Sequence, residues 1–313
     1  MNTIFVQIPS YRDLELIPTI EDALEQAHSP ENITFGICWQ YETEEELHYI
    51  APLKNLKNCR IVTIPASESR GVGWARSEVQ KLWQGEKYTL QTDSHMRFVE
   101  NWDAILIEML KQCPSKKPLL SAYPAWYEPP RNILNHNVTG IEFDEFAESG
   151  VVHIKCSGED LSQYSCPQLG AFVAAGYIFA EASIIREVPA DPHIYFFGEE
   201  FLIAVRSWTR GWDIYHPHKV VCWHYYNFKH RVAQRPLHQN DCEEWVSLNK
   251  LSEQRFRQIL GIERSRENFG IYGLGSDRSL IQYVYFYLKN ALSWASVQVD
   301  ESVEVLANKE LES

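Results

Sequence analysis

Asp93 and His95 are the first residues in the chain whose types and spacing suggest chemistry. They belong to "QTDSH", which ends an apolar run that starts at Tyr88. In an extended chain alternate side chains point the same way, so a carboxylate and an imidazole can reach one ion together. This pair suits Mn²⁺ or a similar divalent ion and leaves positions open for a ligand. Chance or ordinary capping explains most such tripeptides, and the position at a strand end strengthens the metal-site interpretation without deciding it.

A second candidate is the stretch "ASESRGVGWARSE", residues 66–78. Gly71 and Gly73 permit close backbone approach ahead of a helix whose N-terminus attracts anions. Arg70 and Arg76 add charge that can pair with phosphate. The stretch is neither a Walker A loop nor a GxGxxG fingerprint, and a glycine-containing helix start with solvated arginines fits it as well.

Two acidic residues, Glu199 and Glu200, begin a predicted helix in "FFGEEFLIAVRSW". The helix dipole tolerates carboxylates at this end. Because adjacent side chains on a helix diverge, we expect one to face a cleft and the other to cap the helix or meet solvent.

Three histidines lie in "HPHKVVCWHYY". His216 and His218 flank a proline at a predicted strand start, whereas His224 lies near the strand end. His224 can complete a set of two histidines and one aspartate with Asp93 and His95. Each histidine alone is equally explained as a surface or hydrogen-bonded side chain.

Alternating strands and helices over the first ~125 residues predict an α/β protein with an open, largely parallel sheet and right-handed crossovers. The five predicted strands are "TIFVQIPSYRD", "NITFGICWQ", "CRIVTIPAS", "KYTLQTDSHMRF" and "KPLLSAYPAW". Residues 128–168 predict hairpins or an excursion at one edge of the sheet. "IYFFGEEFLIAVRSWTRGW" predicts a strand entering a helix, and "DIYHPHKVVCWHYYNF" a further strand. Two helices are predicted in "CEEWVSLNKLSEQRFRQILGI" and "SLIQYVYFYLKNALSWA", and the acidic end "VDESVEVLANKELES" is expected to fray.

Charge and composition narrow the class of protein. The chain has 313 residues and a net charge of -13, which argues against nonspecific binding to nucleic acid or an anionic membrane. We see no signal peptide and no apolar run of about 18 residues that would span a membrane. The seven cysteines are odd in number and form no CxxC pair, so we expect free thiols and a cytoplasmic location.

The order of these motifs resembles the polypeptide sugar transferases of the GT-A fold. The resemblance is greatest to the cytoplasmic type that adds N-acetylglucosamine to hydroxyproline in a protein, and more distant to the mucin-type polypeptide N-acetylgalactosaminyltransferases. It covers residue 4 to about residue 285. The stretches that carry it are "FVQIPSYRD", "SRGVGWAR", "QTDSHMRF", "AAGYIFA", "FFGEEFLIAVRSWTRGWDIYHP", "VCWHYY" and "YGLGSDRSLIQY".

The resemblance implies a role for each matching residue. Asp93, His95 and His224 stand where these families bind the catalytic Mn²⁺, for which Mg²⁺ is an alternative. Glu199 stands where a carboxylate binds sugar hydroxyls, and Glu200 where the mucin-type enzymes carry Asn. Asp93, His95, Glu199 and Glu200 are therefore the catalytic candidates. The candidates for binding the UDP-sugar donor are Pro9, Ser10, Asp13, Arg70, Gly71, Arg76, Ser94 and Gly176.

The resemblance also implies a fold and a reaction. We expect a GT-A domain over residues 1–240, with a nucleotide-binding half to about 125 and an acceptor half from 126. Its single Rossmann-like open mixed sheet would be flanked by helices, with a helical extension, residues 241–313, packed on it. The expected reaction is metal-dependent, retaining transfer of a sugar from a UDP-sugar to a polypeptide or saccharide acceptor. N-acetylglucosamine is the favoured sugar, and UDP-glucose and UDP-GalNAc remain alternative donors.

Other functions stay open at this point. The chain can be a UDP-sugar-binding protein without transfer activity, a glycosyltransferase for an oligosaccharide or a small molecule, or a metal-dependent phosphoesterase. Residues 128–168 are expected to shape the acceptor cleft, and their aromatic side chains either stack on the acceptor or pack the hairpin.

Overall fold

A mixed eight-stranded sheet forms the centre of the protein, whose computed structural model describes residues 2–226 and 238–294. The strands are β1 (Ile4–Tyr11), β2 (Ile33–Tyr41), β3 (Cys59–Pro65), β4 (Tyr88–Thr92), β5 (Met96–Phe98), β6 (Pro118–Ser121), β7 (Ala125–Glu128), β8 (Asn132–Ile133), β9 (Thr139–Phe146), β10 (Val152–Asp160), β11 (Gln168–Gly170), β12 (Tyr177–Glu181), β13 (Asp213–His216) and β14 (Cys222–His224). The helices are α1 (Leu16–Gln26), α2 (Glu44–Tyr49), α3 (Ala51–Lys54), α4 (Val72–Gln80), α5 (Trp102–Gln112), α6 (Ile184–Glu187), α7 (Glu199–Trp208), α8 (His238–Asp241), α9 (Trp245–Ile259) and α10 (Leu280–Trp294).

The strand order of this sheet is β11-β13-β6-β12-β4-β1-β2-β3. Strands β3, β2, β1 and β4 are parallel, whereas β12 runs antiparallel between β4 and β6. Alternation along β1 sends Val6 and Ile8 into a buried cluster with Trp102 of α5, and Phe5 into a cluster with Val79 of α4. Helices therefore cover both faces, which confirms the predicted mixed α/β sheet.

Three segments predicted as continuous strands are broken in the structure. The predicted fourth strand leaves the large sheet after Thr92 and resumes as β5 in a second sheet of order β5-β14-β7-β8. The predicted fifth strand likewise splits into β6 and β7, and the last one into β13 and β14. At each break, one chain segment contributes a strand to each of the two sheets. Asp93 and His95 thus lie at a bend and not on an extended strand.

The predicted strand before α7 is wrong. Residues 194–198 form a loop because their backbone groups bond to other elements. The amide of Tyr195 donates to Ser252 Oγ at 3.0 Å, and its carbonyl accepts from the amide of Val72 at 2.9 Å. Gly198 then adopts a φ of +86° and begins α7.

The predicted hairpin is confirmed: β9 and β10 pair antiparallel as a two-stranded sheet. His216 of β13 attaches it to the large sheet, since the amide of Ile141 donates to His216 Nε2 at 3.2 Å. The other ring nitrogen of His216 donates to the carbonyl of Ser121 at 2.8 Å. His216 is therefore fully occupied in holding the hairpin.

The predicted C-terminal helices are present as α9 and α10. Phe256 and Tyr283 are buried in one cluster with Leu202 and Val205 of α7. The acidic end, residues 299–313, lies outside the described residues. Within the described part of the chain, no helix combines the length and the apolar character needed to traverse a bilayer.

Candidate functional site

Asp93, His95 and His224 converge at the junction of the two sheets, at the carboxyl end of β4. His95 Nε2 lies 2.8 Å from His224 Nε2, which lies 3.1 Å from Asp93 Oδ2. The convergence follows from the pairing of β14 with β5, in which His224 lies opposite Met96. One ligand atom from each side chain lies within 4.8 Å of the others.

These three side chains fit a divalent ion. Ligands about 2.1 Å from an ion and at right angles to each other are about 3.0 Å apart, close to the observed separations. Two imidazoles and one carboxylate suit Mn²⁺ and ions of similar character, and Mg²⁺ less well.

Asp13 orients His95 within this cluster. Nδ1 of His95 donates to Asp13 Oδ2 at 2.8 Å, and the hydroxyl of Ser94 donates to the same oxygen at 2.7 Å. Because the carboxylate only accepts, the proton of His95 is on Nδ1 and the lone pair of Nε2 faces the cluster. The sequence predicted Asp13 and Ser94 as donor-binding residues, and the structure places both directly behind a metal-binding candidate.

Arg76 lies between two carboxylates on the inner face of α4. Its guanidinium is 3.4 Å from Asp93 Oδ1 and 3.1 Å from Glu199 Oε1. Burial opposes ionisation of Asp93, but the hydrogen bond from His224 and the charges of His224 and Arg76 outweigh it and hold the Asp93 pKa well below its usual value. Burial raises the pKa of Glu199, and the charge of Arg76 only partly offsets it.

Glu200 faces the same cavity as Glu199 but has different partners. Its Oε1 accepts from the amide of Ala175 at 2.8 Å, and the hydroxyl of Tyr123 donates to Oε2 at 3.4 Å. Burial raises the pKa of Glu200 to about 7. Both glutamates therefore line the cavity, whereas we expected only one of them to face a cleft.

The peptide at Ala175 and Gly176 connects these groups. The carbonyl of Ala175 accepts from Arg76 at 2.8 Å and from Gln91 at 2.9 Å. A Cβ on Gly176 would lie 2.6 Å from Asp93 Oδ2, so a side chain at this position would displace the Asp93 carboxylate.

Two cavities meet at Asp93. The tyrosine cavity, of 160 Å³, is lined by Tyr11, Tyr195 and His238 and by the predicted residues Pro9, Asp13, Gly71, Ser94 and His95. The glutamate cavity, of 310 Å³, is lined by Arg76, Gly176, Glu199 and Glu200 and by the start of β10. The site therefore has one compartment on each side of the candidate metal ligands.

Tyr11 and His238 line the tyrosine cavity but were not among the predicted residues. The ring of His238 lies 5.3 Å from that of Tyr11, and its Nδ1 is 2.8 Å from the hydroxyl of Tyr195. Tyr11 directly follows the predicted Pro9 and Ser10, so its position in the strand could have identified it as a candidate. No sequence pattern pointed to His238, which belongs to a four-residue helix far along the chain.

Two predicted donor-binding residues lie elsewhere. Ser10 is buried in β1 and is not part of the cavity lining. Arg70 is exposed and lines a separate cavity of 860 Å³ together with Trp74 and Lys81. The reason is geometric, since α4 begins at Val72 and turns Arg76 inward, whereas Arg70 precedes the helix on its outer side.

The chain was compared with known families and structures. A family model described as Glycosyltransferase (GlcNAc) matches residues 3–55 and 44–289. No curated protein sequence matches. The crystal structure of GalNAc-T7 with UDP, GalNAc and Mn²⁺ is similar with a TM-score of 0.63 at 13% identity, over 94% of this chain and 58% of that one. This chain thus spans less than two thirds of GalNAc-T7.

A second similar structure is that of residues 1–349 of S. aureus TarS with UDP. It has a TM-score of 0.50 at 11% identity and covers 93% of this chain and 72% of that one. At such low identities the likeness shows the fold alone, which is the GT-A fold, as predicted.

Proposed function

The chain belongs to the family described as Glycosyltransferase (GlcNAc), and on that premise we propose that it transfers N-acetylglucosamine from UDP-N-acetylglucosamine to a hydroxyl of a polypeptide. The hydroxyl would be that of Ser, Thr or hydroxyproline. One observation carries the proposal. Asp93, His95 and His224 converge between two cavities, one lined by aromatic side chains and the other by two glutamates.

The tyrosine cavity suits the nucleotide. It lies at the carboxyl ends of β1 and β4, where ligands bind in open α/β sheets. Tyr11 and His238 offer aromatic rings for the flat base. Gly71, with a φ of +94°, lines this cavity and lets the start of α4 pack against the loop at Tyr195, because a side chain there would meet the carbonyl of Tyr195 at 2.4 Å.

The junction suits the diphosphate. Asp93, His95 and His224 would hold Mn²⁺ or Mg²⁺, which when bound would neutralise charge on the departing UDP. Arg76 is buried beside Asp93, where its charge can stabilise the same phosphates.

The glutamate cavity suits the sugar. The carboxyl groups of Glu199, which is buried, and Glu200, which is partly buried, can accept hydrogen bonds from sugar hydroxyls, and a protonated carboxyl group can also donate one. Gly176 leaves room for the sugar beside the backbone. By the resemblance, Glu200 stands where the mucin-type enzymes carry Asn, so UDP-glucose and UDP-GalNAc are the donors to compare with UDP-N-acetylglucosamine.

The proposed reaction retains the configuration at the anomeric carbon. The bond from that carbon to the β-phosphate oxygen breaks while a bond to the acceptor oxygen forms on the same face. The proton of the acceptor hydroxyl passes to the departing phosphate, so no protein side chain is assigned as the base. Retention rests on the resemblance to GT-A polypeptide transferases.

The test is donor turnover by the purified protein with Mn²⁺, Mg²⁺ or a chelator. We expect UDP release from UDP-N-acetylglucosamine that stops with chelator and in the Asp93→Asn variant, and that persists in the control His136→Ala, which removes an exposed imidazole. UDP binding without sugar release from any UDP-sugar would indicate a binding protein. Release of UMP would indicate a phosphoesterase.

We also propose that the protein works in the cytoplasm. All seven cysteines, each within the described residues, are free, which suits a reducing compartment. Cell fractionation tests this, and recovery of the protein from an oxidising compartment would contradict it.

A further inference from the structure

An apolar groove of 380 Å³ lies between the β9–β10 hairpin and α10. Four of its side chains are large, apolar and exposed: Phe146 at 70%, Ile262 at 63%, Val284 at 46% and Leu288 at 39%. Exposed apolar side chains scattered singly are common, but a contiguous set that lines a groove marks an interaction site.

The groove borders the glutamate cavity. Val152 and Phe201 line both, and Phe201 directly follows Glu200 in α7. A molecule in the groove therefore contacts side chains that also line the proposed sugar site. This adjacency favours the acceptor as the occupant, an assignment that rests on the function proposed above.

The chemistry of the groove disfavours a saccharide. Its walls are almost entirely carbon, and the hydroxyl of Tyr283 is turned inward to the carbonyl of Ala171 at 2.6 Å. Sugar hydroxyls placed there would lose their hydrogen bonds to water without replacement, which is unfavourable. The groove instead suits one bulky apolar side chain.

Two features beside the groove suit a polypeptide. Strand β10 pairs only with β9 among the strands of the described residues, so its outer edge can pair with an extended peptide. The hairpin also carries the exposed carboxylates of Asp144, Glu145 and Glu148, which are close to Phe146 in the sequence. Lys155 lies 3.1 Å from Asp144 and His153 lies 3.6 Å from Glu145, so the three carboxylates outnumber the basic side chains beside them. This acidic rim would attract basic residues that flank the apolar side chain.

We propose that the groove selects the polypeptide acceptor. The acceptor lies extended along β10, places a bulky apolar side chain between Phe146 and Val284, and sets a Lys or Arg against the acidic rim. Its hydroxyl then reaches the glutamate cavity. Val284 and Phe146 are thus specificity-determining residues that take no part in binding the donor.

A peptide library tests this proposal. The probes are twelve-residue peptides with one central Thr or hydroxyproline and randomised flanks, incubated with the intact protein, Mn²⁺ and UDP-N-acetylglucosamine. We expect the modified peptides to be enriched in Leu, Ile, Phe or Met at one fixed distance from the hydroxyl, with Lys or Arg nearby.

A matched pair of variants on α10 tests whether the groove selects the acceptor peptide. Val284→Arg places a charge in the groove, whereas Ile281→Arg makes a similar change at a 55% exposed position outside its lining. For an enriched peptide we expect KM to rise about tenfold or more in the first variant, as loss of one buried apolar side chain predicts. We expect a change of less than about twofold in the second. Donor hydrolysis without peptide should be unchanged in both.

Donor hydrolysis separates failure of this proposal from failure of the proposed function. If the donor is hydrolysed but the modified peptides show no apolar preference, or the two variants have equal KM values for the peptide, the groove assignment is overturned and the proposed transferase activity stands. Transfer to a polyprenol in detergent but to no peptide overturns it in favour of a lipid acceptor. If Val284→Arg alone changes the sedimentation of the protein, the groove binds a second copy of the chain and the proposal is overturned. If a chain that ends at Trp294 binds the peptide more tightly than the full chain, residues 295–313 occupy the groove, and the proposal is again overturned.

Discussion

At the scale of single residues, the side chains of the site are held in place by hydrogen bonds and ion pairs to their neighbours. Asp13 is 3% exposed, and its Oδ2 serves both His95 and Ser94. Arg76 is held by Asp93, Glu199 and the carbonyl of Ala175. Side chains restrained in this way keep their positions before any ligand arrives, which lowers the cost of organising the site during reaction.

Asp13→Asn tests the orientation of His95. The amide keeps the shape of the carboxylate but weakens its hold on the Nδ1 proton, so we expect the affinity for Mn²⁺ to fall about 10- to 100-fold. Titration followed by electron paramagnetic resonance measures this without turnover. UDP affinity in chelator should change much less. An equal loss of both would instead assign Asp13 to the nucleotide.

Gly176→Ala tests the packing of Asp93. The new methyl group would lie 2.6 Å from Asp93 Oδ2, so the carboxylate must move away from His224. We expect transfer to fall at least about tenfold, as small displacements at a reacting centre cause, with the fold retained by circular dichroism. Gly158→Ala is the control, since no atom lies within 4 Å of its Cβ. Unchanged turnover in Gly176→Ala would refute the tight contact.

Glu200 predicts a pH dependence of stability. Burial raises its pKa from 4.5 to about 7, so the folded protein binds this proton more tightly than the unfolded chain. Its contribution is fully present below pH 4.5 and is lost as the pH rises towards 7, with a slope of up to about 1 kcal/mol per pH unit. Urea unfolding in chelator at several pH values measures it. Glu200→Gln should remove this part of the slope, whereas Glu148→Gln, at an exposed position, should not.

At the scale of elements, the sequence predicted most helices and strands but not where strands change sheets. Periodicity finds apolar runs, and "KYTLQTDSHMRF" is one run that serves β4 and β5. Nothing local in it shows that β14 pairs with β5, because that pairing joins residues about 130 positions apart. The convergence of Asp93, His95 and His224 was inferred from the order of motifs. Whether Ser10 and Arg70 face the site depends on how β1 and α4 are oriented, and the order of motifs along the chain carries no information on that orientation.

The start of α7 depends on α9. The ring of Phe256 is fully buried and occupies the space where a Cβ on Gly198 would lie, 2.6 Å from its Cδ2. We expect Phe256→Ala to lower the free energy of unfolding by about 3–5 kcal/mol and to raise KM for the donor, because Glu199 and Glu200 follow directly. Urea unfolding and initial rates measure the two effects. Leu251→Ala, at a 62% exposed position on the same helix, should alter neither.

At the scale of the whole molecule, the C-terminal helices pack against the rest of the described chain. Arg255 bonds Asp191 and Arg278 bonds Asp213, both at 2.7 Å, and Tyr283 is 2% exposed. We therefore propose that the expected division at residue 240 separates two parts of one cooperative structure.

Calorimetry tests this unity. We expect a single unfolding transition for the full chain, with equal calorimetric and van't Hoff enthalpies, and no cooperative transition for a fragment of residues 1–240. Two resolved transitions, or a fragment that melts as sharply as the full chain, would show that the extension folds on its own.

The pairing of β14 with β5 has a practical consequence. Since the ladder between His224 and Met96 holds the backbones of His95 and His224 side by side, we expect the spacing of the three side chains to change little when an ion binds. The emptied protein should survive dialysis and accept Co²⁺ in its place, and the resulting visible absorption band would report each ligand that enters or leaves the coordination sphere.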